Sequence, residues 1–235
     1  MLGLILLPLA ESLVGWDHPD AVWWKKDVAQ WIYPIQVVVC AWLVIRYWKF
    51  YEFRLTAGKF LLGIVFGVVG IGLWLLPTVV FDRMGFGYDE AVPMWLTRLG
   101  VASRAEGFNP GEVFAPGSAA YWSSMILRFF RAAVVVAFVE EIFWRGFLMR
   151  YVMNPDGKFW NEPFGRPAMR SYLIVTAAFV AIHSAVDWPA ALVYGSLTYW
   201  LTVKTKSLGA VITMHFTANL LMGLFAVAYG KYGLW

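Results

Sequence analysis

Residues 134–150 read VVVAFVEEIFWRGFLMR, and the fold turns on how this stretch is understood. An apolar run suited to the middle of a membrane helix is interrupted by Glu140, Glu141 and Arg145. A charged side chain at the centre of such a helix costs about 2.5–3.5 kcal/mol on insertion scales. Glu141 and Arg145 stand four apart, the spacing at which helical side chains pair, and pairing offsets part of that cost. Glu140 projects about 100° away from Glu141 on a helix, which leaves it the freer carboxylate.

The rest of the chain has the same solvent. Of its 235 residues 60% are hydrophobic and 14% charged, where a soluble domain carries about 25% charged residues. Apolar runs cover about 28–48, 57–81, 121–152, 171–187, 188–203 and 207–229. The N-terminal MLGLILLPLAESLVG adds a seventh. It lacks the basic residues of a signal peptide and contains Pro8 and Glu11, so it reads as a short, retained first helix. The expected fold is all-α, a polytopic transmembrane helix bundle of about seven to eight spans. Residues 1–235 read as a single integral membrane domain, with the motif-bearing core at about 121–229. Gly63-x-x-x-Gly67, followed by Gly70 and Gly72, has the small-residue spacing that lets membrane helices approach closely. Cys40, the lone cysteine, reads as a small hydrophobe.

The connecting segments alternate in charge, as the positive-inside rule requires. Arg46, Lys49, Arg54 and Lys59 mark one side, as do Arg150, Lys158, Arg166 and Arg170, then Lys204 and Lys206. Between these lie Asp17, Asp20 and Asp27 against Lys25 and Lys26, then Asp82, Asp89, Glu90, Glu106 and Glu112 against Arg83, Arg98 and Arg104, and finally Asp187 alone. This places the N-terminus inside, in the cytoplasm. The formal charge of +4 sits in these loops and speaks to topology rather than to nucleic acid.

Counted along helices at about 1.5 Å per residue, Glu140 lies about 15 Å from the basic end of its span. By the same rise His183 lies about 18 Å from Ser171 and His215 about 12 Å from Ser207, with Asn219 one turn beyond His215. A carboxylate, two imidazoles and an amide thus share one expected depth. A desolvated Glu can act as general base on water, a neighbouring His can share the proton, and His with Asn can stabilise an oxyanion. Ser184 has no base beside it. A metal-dependent version would use Glu140, His183 and His215 as three ligands of a zinc ion, with water in the fourth position. The sequence lacks His-Glu-x-x-His, where one helix supplies two ligands and the base together, so the residues leave zinc open without establishing it.

Glu140-Glu141-x-x-x-Arg145, Phe179-x-x-x-His183 and His215-x-x-x-Asn219, in this order, resemble the motifs of the CPBP family, which includes CAAX prenyl endopeptidases and bacteriocin-processing or self-immunity membrane proteins. The resemblance covers about 140–219. It implies an intramembrane endopeptidase in which Glu140 and His183 activate water, His215 and Asn219 stabilise the oxyanion, and Glu141 and Arg145 support the site. The family has been described as both metal-dependent and glutamate-dependent, and its members of known fold have eight helices. The composition also resembles small bacterial members found beside exosortase systems, which implies a bacterial inner membrane location. The expected partners are the lipid bilayer and a peptide or membrane-anchored, lipidated or unlipidated, protein substrate; in a bacterial source, prenylated CAAX proteins are not the expected natural one. The alternatives are a non-catalytic scaffold or immunity protein binding a peptide in the same cavity, and a proton-coupled transporter, against which no internal repeat is visible.

Overall fold

The computed structural model describes residues 2–16, 18, 20–86 and 92–234; Asp17, Asp89 and Glu90 of the loop-charge pattern lie outside them. In chain order the main helices are α1 (Leu2–Val14), α2 (Ala29–Arg46), α3 (Ala57–Arg83), α4 (Met94–Arg98) and α5 (Ala119–Phe129). A π-helical stretch, Phe130–Val136, leads into α6 (Ala137–Glu141), and a second, Ile142–Leu148, into α7 (Met149–Tyr151). Then come α8 (Met169–Ala181), α9 (Trp188–Thr205) and α10 (Leu208–Tyr229). No strand occurs among the described residues, so the all-α expectation holds.

The span count is where structure and sequence part. Among the described residues three helices, α2, α3 and α10, are long and apolar enough to cross a membrane by themselves. The other segments are shorter or more polar: α1 and α8 have 13 residues each, and 119–151 alternates between α and π turns. The reason for the short α8 is local. Pro189 sits in the first turn of α9, where its missing N–H costs nothing and its fixed φ starts a new helix. Ahead of it, residues 182–187 turn around Asp187, which accepts hydrogen bonds from Ser184 and Arg104. The helix expected over 171–187 therefore stops at Ala181.

The chain divides into two compact units, Met1–Phe50 with Asn109–Glu140, and Tyr51–Phe108 with Glu141–Trp235. In the first, α1 packs on α2 through Ala10, Val28 and Ile32, with Leu7, Val14, Trp31 and Tyr33 around them. Along its length α2 also meets α5 and the π stretch that follows. Val38, Trp42 and Ile45 on α2 are 67%, 61% and 72% exposed, an apolar surface that only lipid solvates well.

In the second unit α10 lies along α3, and the glycines of α3 set the distance. A Cβ on Gly63 would meet the Ala210 carbonyl oxygen at 2.6 Å, and one on Gly67 the Met214 carbonyl oxygen at 2.7 Å. Gly70 similarly admits the Tyr194 ring. Gly72 faces open space, so it takes no part in the approach. We expect Gly67→Ala to lower stability by about 1–3 kcal/mol through backbone displacement, and Gly72→Ala to stay within about 0.5 kcal/mol of the parent. Thermal unfolding in one detergent compares the two directly, and equal shifts would contradict the packing account. The buried hydroxyls of Thr198, Thr202, Thr205 and Thr213 each donate to the carbonyl four residues earlier, so they are satisfied without water.

Loops of like expected side are bonded to one another in this unit. Arg150 pairs with Glu52 at 3.0 Å, and the amides of Leu208 and Gly209 donate to the carbonyls of Glu52 and Phe53. Elsewhere in this unit Arg104 pairs with Asp187, and Lys231 with Asp82 at 2.6 Å.

Candidate active site

The second unit gathers Glu141, Arg145 and His215. Glu141 closes α6 and Arg145 lies in the π stretch after it; neither side chain is exposed at all. Arg145 Nε stands 3.6 Å from Glu141 Oε2, so the i,i+4 pair expected from sequence forms. The other carboxylate oxygen, Oε1, is 2.9 Å from Nδ1 of His215, which the sequence did not indicate. A carboxylate facing a guanidinium accepts, so Nδ1 carries the hydrogen. Glu141 is therefore the hub of a buried triad rather than the partner of Arg145 alone. π turns recur at functional sites because they redirect side chains within a helix, and here one lies between α6 and α7.

His183 is placed differently from expectation. It stands in the turn beyond α8, not within a span, so the depth counted along a helix from Ser171 does not apply to it. Its Nδ1 donates to the Phe179 carbonyl at 2.7 Å, since a carbonyl can only accept. In the neutral ring Nε2 then bears the lone pair a proton acceptor needs. The Trp188 indole N–H donates to the His183 carbonyl and fixes the turn from the other side. Ser184 Oγ donates to Asp187 rather than to either imidazole.

Aromatic rings join the two histidines. Phe179 lies 4.6 Å and Trp74 5.3 Å from the His183 ring; Trp74 lies 5.9 Å from Tyr194, and Tyr194 6.1 Å from His215. Centroid separations of 4.5–7 Å are those of favourable ring pairs, and the rings keep the imidazoles in an apolar surround. Asn219, half-buried, follows His215 by one turn of α10.

Glu140 belongs to the first unit. It is buried and lines a pocket there with Gln36, Cys40 and Arg131 and with Val135, Val136 and Val139. The polar companions in this pocket were missed in the sequence, where 121–152 reads as an apolar run. The signal was present in Arg128 and Arg131, two cations inside that run. Both guanidinium groups stack on Tyr33, at 5.3 and 4.0 Å from its ring, and Arg131 Nε donates to Gln36 at 2.9 Å.

A metal needs a third ligand that neither unit provides. Both Glu141 oxygens face Arg145 and His215. Among the described residues of either unit, no three His, Cys, Asp or Glu side chains come together to hold an ion. The residues present do not fit a zinc site by themselves.

The likeness to known proteins agrees with this distribution of residues. No curated protein and no solved structure matches the chain. Residues 122–221 match the family model described as type II CAAX prenyl endopeptidase, Rce1-like. The matched segment contains Glu140, Glu141, Arg145, His183, His215 and Asn219. With three helices long and apolar enough to cross a bilayer among its described residues, the chain is an integral membrane protein in which residues 122–221 are similar to the Rce1-like, type II CAAX prenyl endopeptidase family.

Proposed function

We propose that this protein is an intramembrane endopeptidase that hydrolyses a peptide bond in a peptide or membrane-anchored protein substrate. The observation that carries the reading is the buried Glu141–His215–Arg145 triad, linked by edge-to-face aromatic rings to a second imidazole, within the segment that matches the Rce1-like family. Structural polar glue between membrane helices needs one hydrogen bond; here both histidines have Nδ1 engaged, His215 with a buried carboxylate and His183 with a backbone carbonyl.

In this reading Glu140 and His183 take a proton from water, whose oxygen attacks the substrate carbonyl carbon. Negative charge develops on the carbonyl oxygen. The Asn219 amide can donate to it in any protonation state, whereas His215 can donate from Nε2 only after gaining a proton, because its Nδ1–H is given to Glu141. The proton then passes to the amide nitrogen and the C–N bond breaks. Glu141 and Arg145 hold the His215 ring in place and do not touch substrate. The location in this reading is a bacterial inner membrane, by the resemblance of the composition to small bacterial members, with the N-terminus in the cytoplasm, by the alternation of basic and non-basic loop segments along the sequence.

The test is cleavage of membrane-anchored peptides by purified, reconstituted protein, with products identified by mass spectrometry. We expect His183→Gln to lower kcat by about 10²–10⁴-fold, the usual contribution of a positioned acid–base group. Turnover should persist after zinc chelation. A chelator-sensitive activity restored by zinc would instead require a metal mechanism. A cellular phenotype indifferent to alanine at both His183 and His215 would favour a non-catalytic, peptide-binding role.

A further inference from the structure

We infer that a polar seam between α2 and the α5–π segment of the first unit is a water path that supplies Glu140. The inference rests on the reading of Glu140 as the water-activating carboxylate. On α2 the seam presents Gln30, Tyr33 and Gln36 at a spacing of three, then Cys40, all on one helical face. Ser124, Arg128 and Arg131 answer them at successive levels. Ser124 Oγ donates to Gln30 at 3.2 Å, Tyr33 lies against both guanidinium groups, and Arg131 Nε donates to Gln36 at 2.9 Å. At about 1.5 Å per residue the seam runs about 15 Å, from the first turn of α2 to Cys40.

It ends at a cavity of about 20 Å³ whose lining residues are Gln36, Cys40, Arg131 and Glu140 with three valines. A cavity has room for one water when it offers roughly 10–15 Å³. This one meets that condition, and Gln36, Arg131 and Glu140 are among the residues around it. Every other polar group along the seam is also able to bond water, and ionisable residues inside a membrane segment commonly line such routes. Hydrolysis consumes one water per bond cleaved, and the exposed faces of α2 are apolar, so a carboxylate at this position needs a supply that does not cross lipid.

Cys40 is the protein's lone cysteine and serves as the reporter. Brief X-ray radiolysis of the reconstituted protein generates hydroxyl radicals from water in place, and oxidation of Cys40 is read by mass spectrometry. We expect oxidation in the parent protein and in Glu140→Gln, and a fall of about tenfold in Gln36→Leu and Arg131→Met. The same two variants should lose about tenfold in kcat with KM unchanged. Should they unfold, Gln30→Leu with Ser124→Ala blocks the seam further out while leaving the Arg–Tyr stack intact. An unoxidised Cys40 in the parent, or oxidation that survives every seam variant, overturns the path. Oxidation that falls with no change in kcat also overturns it as a supply. Hydration is read without turnover, so absence of proteolysis in all proteins would count against the proposed function and leave the water readout standing.

Discussion

Glu140→Gln is expected to abolish cleavage while leaving the protein folded. The exchange keeps the side chain's volume and polarity in the pocket it lines with Arg131 and Gln36, but an amide cannot take a proton from water at neutral pH. Loss of a positioned general base lowers kcat by about 10²–10⁴-fold, and more where it also anchors the attacking water. Activity should be measured on a membrane-anchored peptide, with thermal unfolding of the same preparation as the control for folding. Cleavage retained within threefold of the parent in Glu140→Gln would end the reading of Glu140 as base.

The neighbouring carboxylate should behave in the opposite way. Glu141→Ala removes the one acceptor that faces both Arg145 and His215, in a place where neither Glu141 nor Arg145 has any exposure. An uncompensated buried charge costs about 3–5 kcal/mol, a large part of the total stability of most domains. The expected result is poor accumulation in the membrane and a strongly lowered unfolding temperature. Glu141→Ala with Arg145→Met removes both charges and should recover part of the stability, though not the orientation of His215. A single variant as stable as the parent would contradict the triad as a structural hub. Two adjacent glutamates would thus separate into one that matters for turnover and one that matters first for folding.

Much of this was open to reading along the chain. The cost of burying charge makes Glu140, Glu141 and Arg145 conspicuous in an apolar run, and helical spacing makes the Glu141–Arg145 pair legible because both residues share one helix. The Gly63–Gly67 pair announced a close approach, although its partner helix was not named by the spacing. What escaped was non-local. Glu141 and His215 are separated by 74 positions, and nothing in either segment specifies the other. His183 was misplaced because an apolar run does not record where hydrogen bonding ends a helix; Arg104, far away in sequence, holds Asp187 and with it the turn. Arg128 and Arg131 were legible in principle, by the same cost argument applied to Glu140, once set beside Gln30, Tyr33 and Gln36.

The glycine face of α3 also imposes an order in time. It fits against Ala210 and Met214, which the ribosome adds about 150 residues after Gly63. At about 5–20 residues per second this is a wait of about 7–30 s, during which α3 is in the bilayer without its counterpart. The helix that ends the wait is also the one that brings His215 and Asn219. A nascent chain therefore cannot hold a finished site until this last long helix has been inserted.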